Sequence, residues 1–211
     1  VSHVISQAKK AGAETIIAVI GHGAEQVKEG LKEEEILFAL QEKQLGTGHA
    51  VMQAADRIPD EGDVFVLCGD TPLITSETLA EFAAYHSGSN NAVTVLTAIF
   101  DNPFGYGRII RGEDGNLQKI VEQKDADETE KAVKEVNAGM YCFNGAFLRE
   151  NLPKLSNQNA QNEYYITDLI GMAVESGAGA GAFAVNNPDE IMGVNNRIQL
   201  SEASRVMRRR I

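Results

Sequence analysis

An aspartate closes the apolar run "DVFVLCGDTPL" at residues 63–73, and a carboxylate in that place can hold a divalent cation against a phosphate. Asp70 stands at what reads as the carboxyl end of a strand, where ligands bind in open α/β sheets. An aspartate after a strand also serves as a turn former or a helix N-cap, but Ser76 lies nearer the next helix and is expected to cap it. A second source of oxygen donors is "GVNNRIQL", residues 193–200, where Asn195 and Asn196 precede the final helix. One amide beside one carboxylate suits Mg²⁺, which keeps several waters and completes its shell with substrate phosphates. The same amides also suit helix capping. A third group is "QLGTGHA", residues 44–50, with Gln41 just ahead of it. Gly46 and Gly48 flank Thr47 at a strand-to-helix junction, so backbone must come close to a phosphate, a base or the neighbouring chain.

These groups need a frame, and the alternation of the chain supplies one. Strand-like runs at 14–21, 36–41, 63–70 and 92–99 alternate with amphipathic helices at 24–31, 47–58 and 77–86. That rhythm predicts βαβ units around a mainly parallel, doubly wound sheet. Beyond residue 103 it changes. Residues 106–124 read as two strands around Glu113-Asp114-Gly115, a hairpin. An acidic helix (125–133), a strand (135–143), helices near Leu148 and over 163–176, a strand (181–185) and a helix from about 196 to 210 complete the chain. The division expected within residues 1–211 is a nucleotide-binding half, 1–102, and an added α+β sugar-binding half with the closing helix, 103–211.

Composition sets the outer bounds. The 211 residues are 43% hydrophobic and 23% charged, ordinary for a globular protein able to bury a sizeable core. A net charge of −11 argues against a nucleic-acid surface, though not against a phosphate held by metal or backbone amides. No apolar run approaches the roughly 20 residues needed to span a bilayer, and the expected compartment is the cytoplasm. Cys68 and Cys142 sit in separate strand-like runs and read as buried, reduced thiols. Val1, Val4, Ile5 and Ala8 share one helix face from the first residue, so further sequence is expected to precede Val1. A phosphate loop of the Walker A type is excluded because no Gly-Lys pair occurs. The dinucleotide fingerprint fails at Gly46-Thr47-Gly48, where Val51 takes the third position. It matches at Gly177, Gly179 and Ala182 only between a helix and a strand, the wrong order.

Seven segments in one order carry a resemblance: "QLGTGHA", "CGDTPL", "GYGRII" (105–110), "KIVEQKDA" (119–126), "VNAGMYCF" (136–143), "NAQNEYYITD" (159–168) and "GVNNRIQL". Over essentially the whole chain they resemble the uridyltransferase domain of the bacterial bifunctional N-acetylglucosamine-1-phosphate uridyltransferase/glucosamine-1-phosphate acetyltransferases. The resemblance implies a nucleotide-diphospho-sugar transferase fold and Mg²⁺-dependent formation of UDP-N-acetylglucosamine and pyrophosphate from UTP and N-acetylglucosamine 1-phosphate. It implies that Gln41 and the backbone at Gly46 read the uracil edge with Thr47 beside them, the glycines letting backbone approach the base. It implies Asp70 and Asn195 as Mg²⁺ ligands, and Gly107, Glu122 and Asn137 as the sugar-binding set. It further implies a role in cell-wall precursor synthesis and a homotrimeric full-length protein. Beside those roles stand plainer ones: Glu122 as the solvent face of a strand, Tyr164 and Tyr165 as packing, and Arg208-Arg209-Arg210 as a solvated helix end facing the macrodipole. His49 receives no catalytic role.

The 211 residues depart from the family pattern in two main ways. They contain neither the glycine-rich "LAAGxGTRM" loop nor the lysine after it, which cradle the triphosphate, and they contain no left-handed β-helix. No acetyltransfer is expected of this chain. Ala138 stands where the family often has Thr, and Asn162 where Gly is usual. The alternatives are a related transferase with glucose or dTTP specificity, or a chain that binds sugar nucleotide without turnover.

Overall fold

The computed structural model describes residues 1–210. Helix α1, Ser2–Lys10, buries Val4 and Ile5. Strands β1 (Ile17–Ile20) and β2 (Leu37–Leu40) pair in parallel across helix α2 (Ala24–Gly30), a small sheet of their own. Helix α3 is Thr47–Met52, shorter than the expected 47–58, and a 3-10 turn at Ala55–Arg57 follows it. Strand β3 is Asp63–Val66, helix α4 Ser76–Ser89 and strand β4 Val93–Ile99. The hairpin is β5 (Arg108–Arg111) with β6 (Leu117–Val121). Helix α5 (Glu128–Lys131) starts at an Asp127–Glu130 capping box and leads into β7, Glu135–Asn144. Helices α6 (Gly145–Asn151) and α7 (Asp168–Glu175), strand β8 (Ala180–Ala184) and helix α8 (Arg197–Arg210) follow.

The six-stranded sheet is organised around β7. One edge of β7 is shared end to end by β5, at Val136, and β3, at Tyr141–Asn144. The other edge pairs with β4, which pairs in parallel with β8. Because β3, β4 and β5 all run antiparallel to β7, they point the same way as β8. The prevailing strand direction is thus the single one expected of a doubly wound sheet, with β7 and β6 running against it.

Alternation along β4 and β7 divides the core between the two sheet faces. Val93, Val95, Tyr141 and Phe143 face Leu148, Leu169 and Ile170 of α6 and α7. Leu96, Ala98, Met140 and Cys142 face Val4 of α1 and Leu79 and Phe82 of α4. Helices on both faces of one sheet make the α/β architecture.

Two local expectations are corrected. The cap of α4 is Thr75, whose hydroxyl accepts from the Thr78 amide at 3.2 Å, while the Ser76 amide donates to Gln7 Oε1 at 2.9 Å. The helix expected over 163–176 begins only at Asp168. Residues 164–166 instead run beside 45–48: Tyr164 N donates to Leu45 O (2.8 Å), Gly48 N to Tyr164 O (2.8 Å) and Ile166 N to the Thr47 hydroxyl (3.1 Å).

Candidate functional site

The residues singled out in the sequence fall into three groups. The first is the turn after β2. Gly46 has φ +109°, and a Cβ there would lie 2.6 Å from Tyr164 O and 2.8 Å from Tyr164 N. A Cβ on Gly48 would meet Leu155 Cδ1 at 2.5 Å and Tyr164 O at 3.0 Å. On their Cβ side these glycines admit the segment 163–166. Thr47 spends its hydroxyl on the same segment. Gln41 is buried, and its amide nitrogen donates to Gly46 O (3.1 Å) and lies 3.0 Å from His49 Nδ1. Gln44 Nε2 donates to Gln41 O at 3.2 Å, and a Cβ on Gly21 would sit 2.6 Å from that same Gln44 nitrogen. The turn is a closed lattice of internal bonds that fixes Gln41.

The second group lies beyond β3. Asp70 and Asn195 are both exposed, and their side chains both lie beside the bare face of Gly193. A Cβ on Gly193 would lie 3.3 Å from Asp70 Oδ2 and 3.4 Å from Asn195 Nδ2. The Val194 amide donates to Asp70 O at 2.9 Å, which ties the 193–195 loop to the strand end. Residues 125 positions apart are thus brought together, and the carboxylate and amide fit the donor set of a hydrated hard cation.

The third group comprises Glu122 just after β6, Asn137 on β7 and Gly107 in the turn before β5. A Cβ on Gly107 would lie 3.4 Å from Glu122 Oε2 and 3.4 Å from Asn137 Cβ, so all three expected sugar contacts converge. The Asn137 amide donates to Gly107 O at 2.9 Å, its Oδ1 accepts from Gly139 N at 2.8 Å and its Nδ2 donates to the Tyr141 hydroxyl at 2.7 Å. Glu122 is not the solvent face of its strand. Burial raises its pKa, the Thr167 hydroxyl bonded at 3.3 Å opposes that rise, and the charges of Asp125, Asp168 and Glu163 add to it. Asp168 is likewise raised by burial and then by Asp125.

A short bridge joins the second and third groups. The Cys68 thiol, two residues before Asp70, donates to Gly139 O at 3.2 Å, while Gly139 N is held by Asn137. Burial, then the Asp70 charge, raises the Cys68 pKa to about 11, so the thiol keeps its proton and remains a donor.

Sequence reading missed Arg108. It is among the most buried side chains, and its guanidinium donates to the carbonyls of Tyr106 and Lys131 and to Gln123 Oε1. Gln123 Oε1 also accepts from the Gly105 amide at 3.0 Å, so this arginine braces the turn that presents Gly107. The only signal was a lone arginine in the strand-like "YGRII". Tyr165 is buried and packs, as expected, but its hydroxyl also bonds Asp125 and Gln161. Of the three terminal arginines, all exposed, Arg210 donates to Leu73 O at 2.6 Å.

With this geometry in place, similarity to known proteins decides the family. The nucleotidyl transferase family matches residues 1–188. The chain belongs to that family. It is 53% identical over 211 residues to the bifunctional protein GlmU of Caldanaerobacter subterraneus subsp. tengcongensis, matching 100% of this chain and 46% of that protein. To GlmU of Trichlorobacter lovleyi it is 52% identical, over 98% of this chain and 45% of the relative. The chain therefore spans about half the length of the curated relatives it matches. In fold it is similar to a putative glucose-1-phosphate thymidylyltransferase from Bacillus anthracis (TM-score 0.78, 16% identity, covering 98% of this chain and 81% of that one). A UDP-glucose pyrophosphorylase complexed with UDP-glucose gives a TM-score of 0.75 at 18% identity, covering 99% and 86%. Among the described residues no helix is long and apolar enough to cross a membrane.

Proposed function

We propose that this chain is the uridylyltransferase unit that joins UTP and N-acetylglucosamine 1-phosphate, forming UDP-N-acetylglucosamine and releasing pyrophosphate. A phosphate oxygen of the sugar phosphate attacks the α-phosphorus of UTP in line. The new P–O bond forms as the bond to the β-phosphate bridge breaks, and pyrophosphate leaves with that electron pair. The nucleophile is already an anion, so no general base is needed and the protein's part is positioning and charge neutralisation. Mg²⁺, bound at Asp70 and Asn195, would neutralise phosphate oxygens there. Glu122 and Asn137, beside Gly107, would offer a carboxylate and an amide to sugar hydroxyls and the N-acetyl group, and Gln41 with the backbone at Gly46 would meet the uracil edge, Thr47 beside them.

The observation that carries this reading is the bridge Asp70–Cys68–Gly139–Asn137. It ties the Asp70 strand end to Asn137, and would so keep the phosphate end and the sugar end of one ligand in register across the sheet. The identity to GlmU relatives over the whole chain supports the choice of sugar and base.

Calorimetric titration with UDP-N-acetylglucosamine, with and without Mg²⁺, tests it. Binding should tighten with Mg²⁺, and Asp70→Ala should lose that gain, about tenfold or more in affinity. Equal binding by Asp70→Ala overturns the metal assignment. Tighter binding of UDP-glucose than of UDP-N-acetylglucosamine overturns the sugar assignment.

A further inference from the structure

At the opposite end of β3 from Asp70 lies a second cluster that the nucleotide site does not use. Asp63 opens β3, His86 lies on the buried face of α4 and Cys142 is near the end of β7. Each offers a ligand atom, and these atoms all fall within 4.8 Å of one another. We propose that Asp63, His86 and Cys142 form a three-ligand site for a zinc-class divalent cation.

The donor set fits that class. Thiolate and imidazole together favour zinc over magnesium or calcium, and three protein ligands leave a fourth tetrahedral position. His86 is already oriented for it. Its Nδ1 lies 2.8 Å from the Thr94 hydroxyl, and its Nε2 points at Asp63 Oδ1, 3.5 Å away. With the proton on Nδ1 and donated to Thr94, the Nε2 lone pair faces the cluster, the arrangement that outer-shell partners impose on metal-binding histidines. Ser87 Oγ donates to Asp63 Oδ2 at 3.1 Å, steadying the carboxylate.

Charge also balances. One thiolate and one carboxylate neutralise a dication, so no net charge is buried, and the thiol proton of Cys142 is released to solvent as the cation enters. Entry is open on one side, where a cleft of about 450 Å³ is lined by Asp63, His86, Asn91, Asn144 and Glu150. The three ligands come from β3, α4 and β7, so an ion there would pin the helix layer to the sheet.

The test uses Co²⁺ as the probe, in a Cys68→Ser background so that the thiol beside Asp70 cannot contribute. Titration should produce a thiolate-to-cobalt charge-transfer band that saturates and is displaced by Zn²⁺. Cys142→Ala should abolish the band, and Asp63→Asn should weaken binding tenfold or more. Absence of the band, or its survival in folded Cys142→Ala, overturns the proposal. Should Cys142→Ala fail to fold, Asp63→Asn at the rim decides, and unchanged Co²⁺ affinity there overturns it equally.

Discussion

The turn at residues 41–49 and the pocket formed by Gly107, Glu122 and Asn137 both hold glycines beside polar side chains, yet they use them oppositely. In the turn, both Gly46 and Gly48 are filled by the chain itself, and the amide nitrogen of Gln41 is committed to its neighbours. In the pocket, the space beside Gly107 is bounded by a buried carboxylate whose ionisation is disfavoured. The first arrangement minimises its own free energy. The second keeps a costly charge where a ligand can meet it, a pattern that marks binding sites more than packing. Glycine-rich sequence alone does not distinguish the two: the atom nearest the absent Cβ is a backbone oxygen at Gly46 and an Ile120 methyl at Gly107, and what sets the pocket apart is the Glu122 carboxylate 3.4 Å away.

Substitutions sharpen that contrast. The largest effect is expected at Gly46→Ala. Its left-handed backbone and a 2.6 Å contact with the Tyr164 carbonyl should together cost about 3 kcal/mol of stability, from strain plus overpacking, read as a lowered urea midpoint. A loss under 0.5 kcal/mol would show that 163–166 can move away and that the turn is not closed. Glu122→Gln should behave in the reverse sense. Because burial raises the folded pKa above the ordinary 4.5, the folded state holds the proton more tightly. Wild-type stability therefore falls as pH rises from about 4.5 through the raised folded value, and it stays lower above that. The glutamine variant should lack this decline, so it gains stability relative to wild type near neutral pH while losing affinity for UDP-N-acetylglucosamine about tenfold. Parallel urea curves for the two proteins at acid and neutral pH would refute this assignment.

Smaller effects refine the same comparison. Thr47→Val keeps the shape but leaves the Ile166 amide without its acceptor, at a cost of about 1–2 kcal/mol and no change in sugar-nucleotide affinity beyond twofold. Should affinity instead collapse, Thr47 belongs to the ligand and not to the frame. The smallest shift is expected for Tyr141→Phe, which removes the acceptor that orients the Asn137 amide. A loss of about 1 kcal/mol in stability with a few-fold rise in Kd would mark Tyr141 as a positioning residue. An unchanged Kd would mean that Gly139 alone orients Asn137.

Much of this frame was legible beforehand. The apolar strand at 92–99 lies at Val93–Ile99, and the hairpin around Glu113-Asp114-Gly115 forms, because a short continuous apolar run and turn chemistry are local signals. The segment 163–167 was misread for a physical reason. Tyr164, Tyr165 and Ile166 continue the apolar spacing of α7, but the backbone of Leu45 and Gly48 and the hydroxyl of Thr47 outbid helix formation. Such partners lie more than a hundred residues away, beyond any window of periodicity. The meeting of Asp63, His86 and Cys142 was hidden because it depends on how β3, α4 and β7 pack, and the role of Arg108 because its acceptors are mostly carbonyls and carry no residue-type signature.

The central position of β7 bears on how the chain assembles as it is made. Apart from the β5–β6 hairpin, no strand of the large sheet pairs with a near neighbour in sequence: β3 waits for β7, and β4 waits for β7 and β8. Until Asn144 has emerged during synthesis, the apolar strands at 63–66 and 93–99 have no lasting partner, and long loops must close before any ladder is won. Nascent chains halted before residue 135 should therefore depend on chaperones, and those extended past β8 should be released from them.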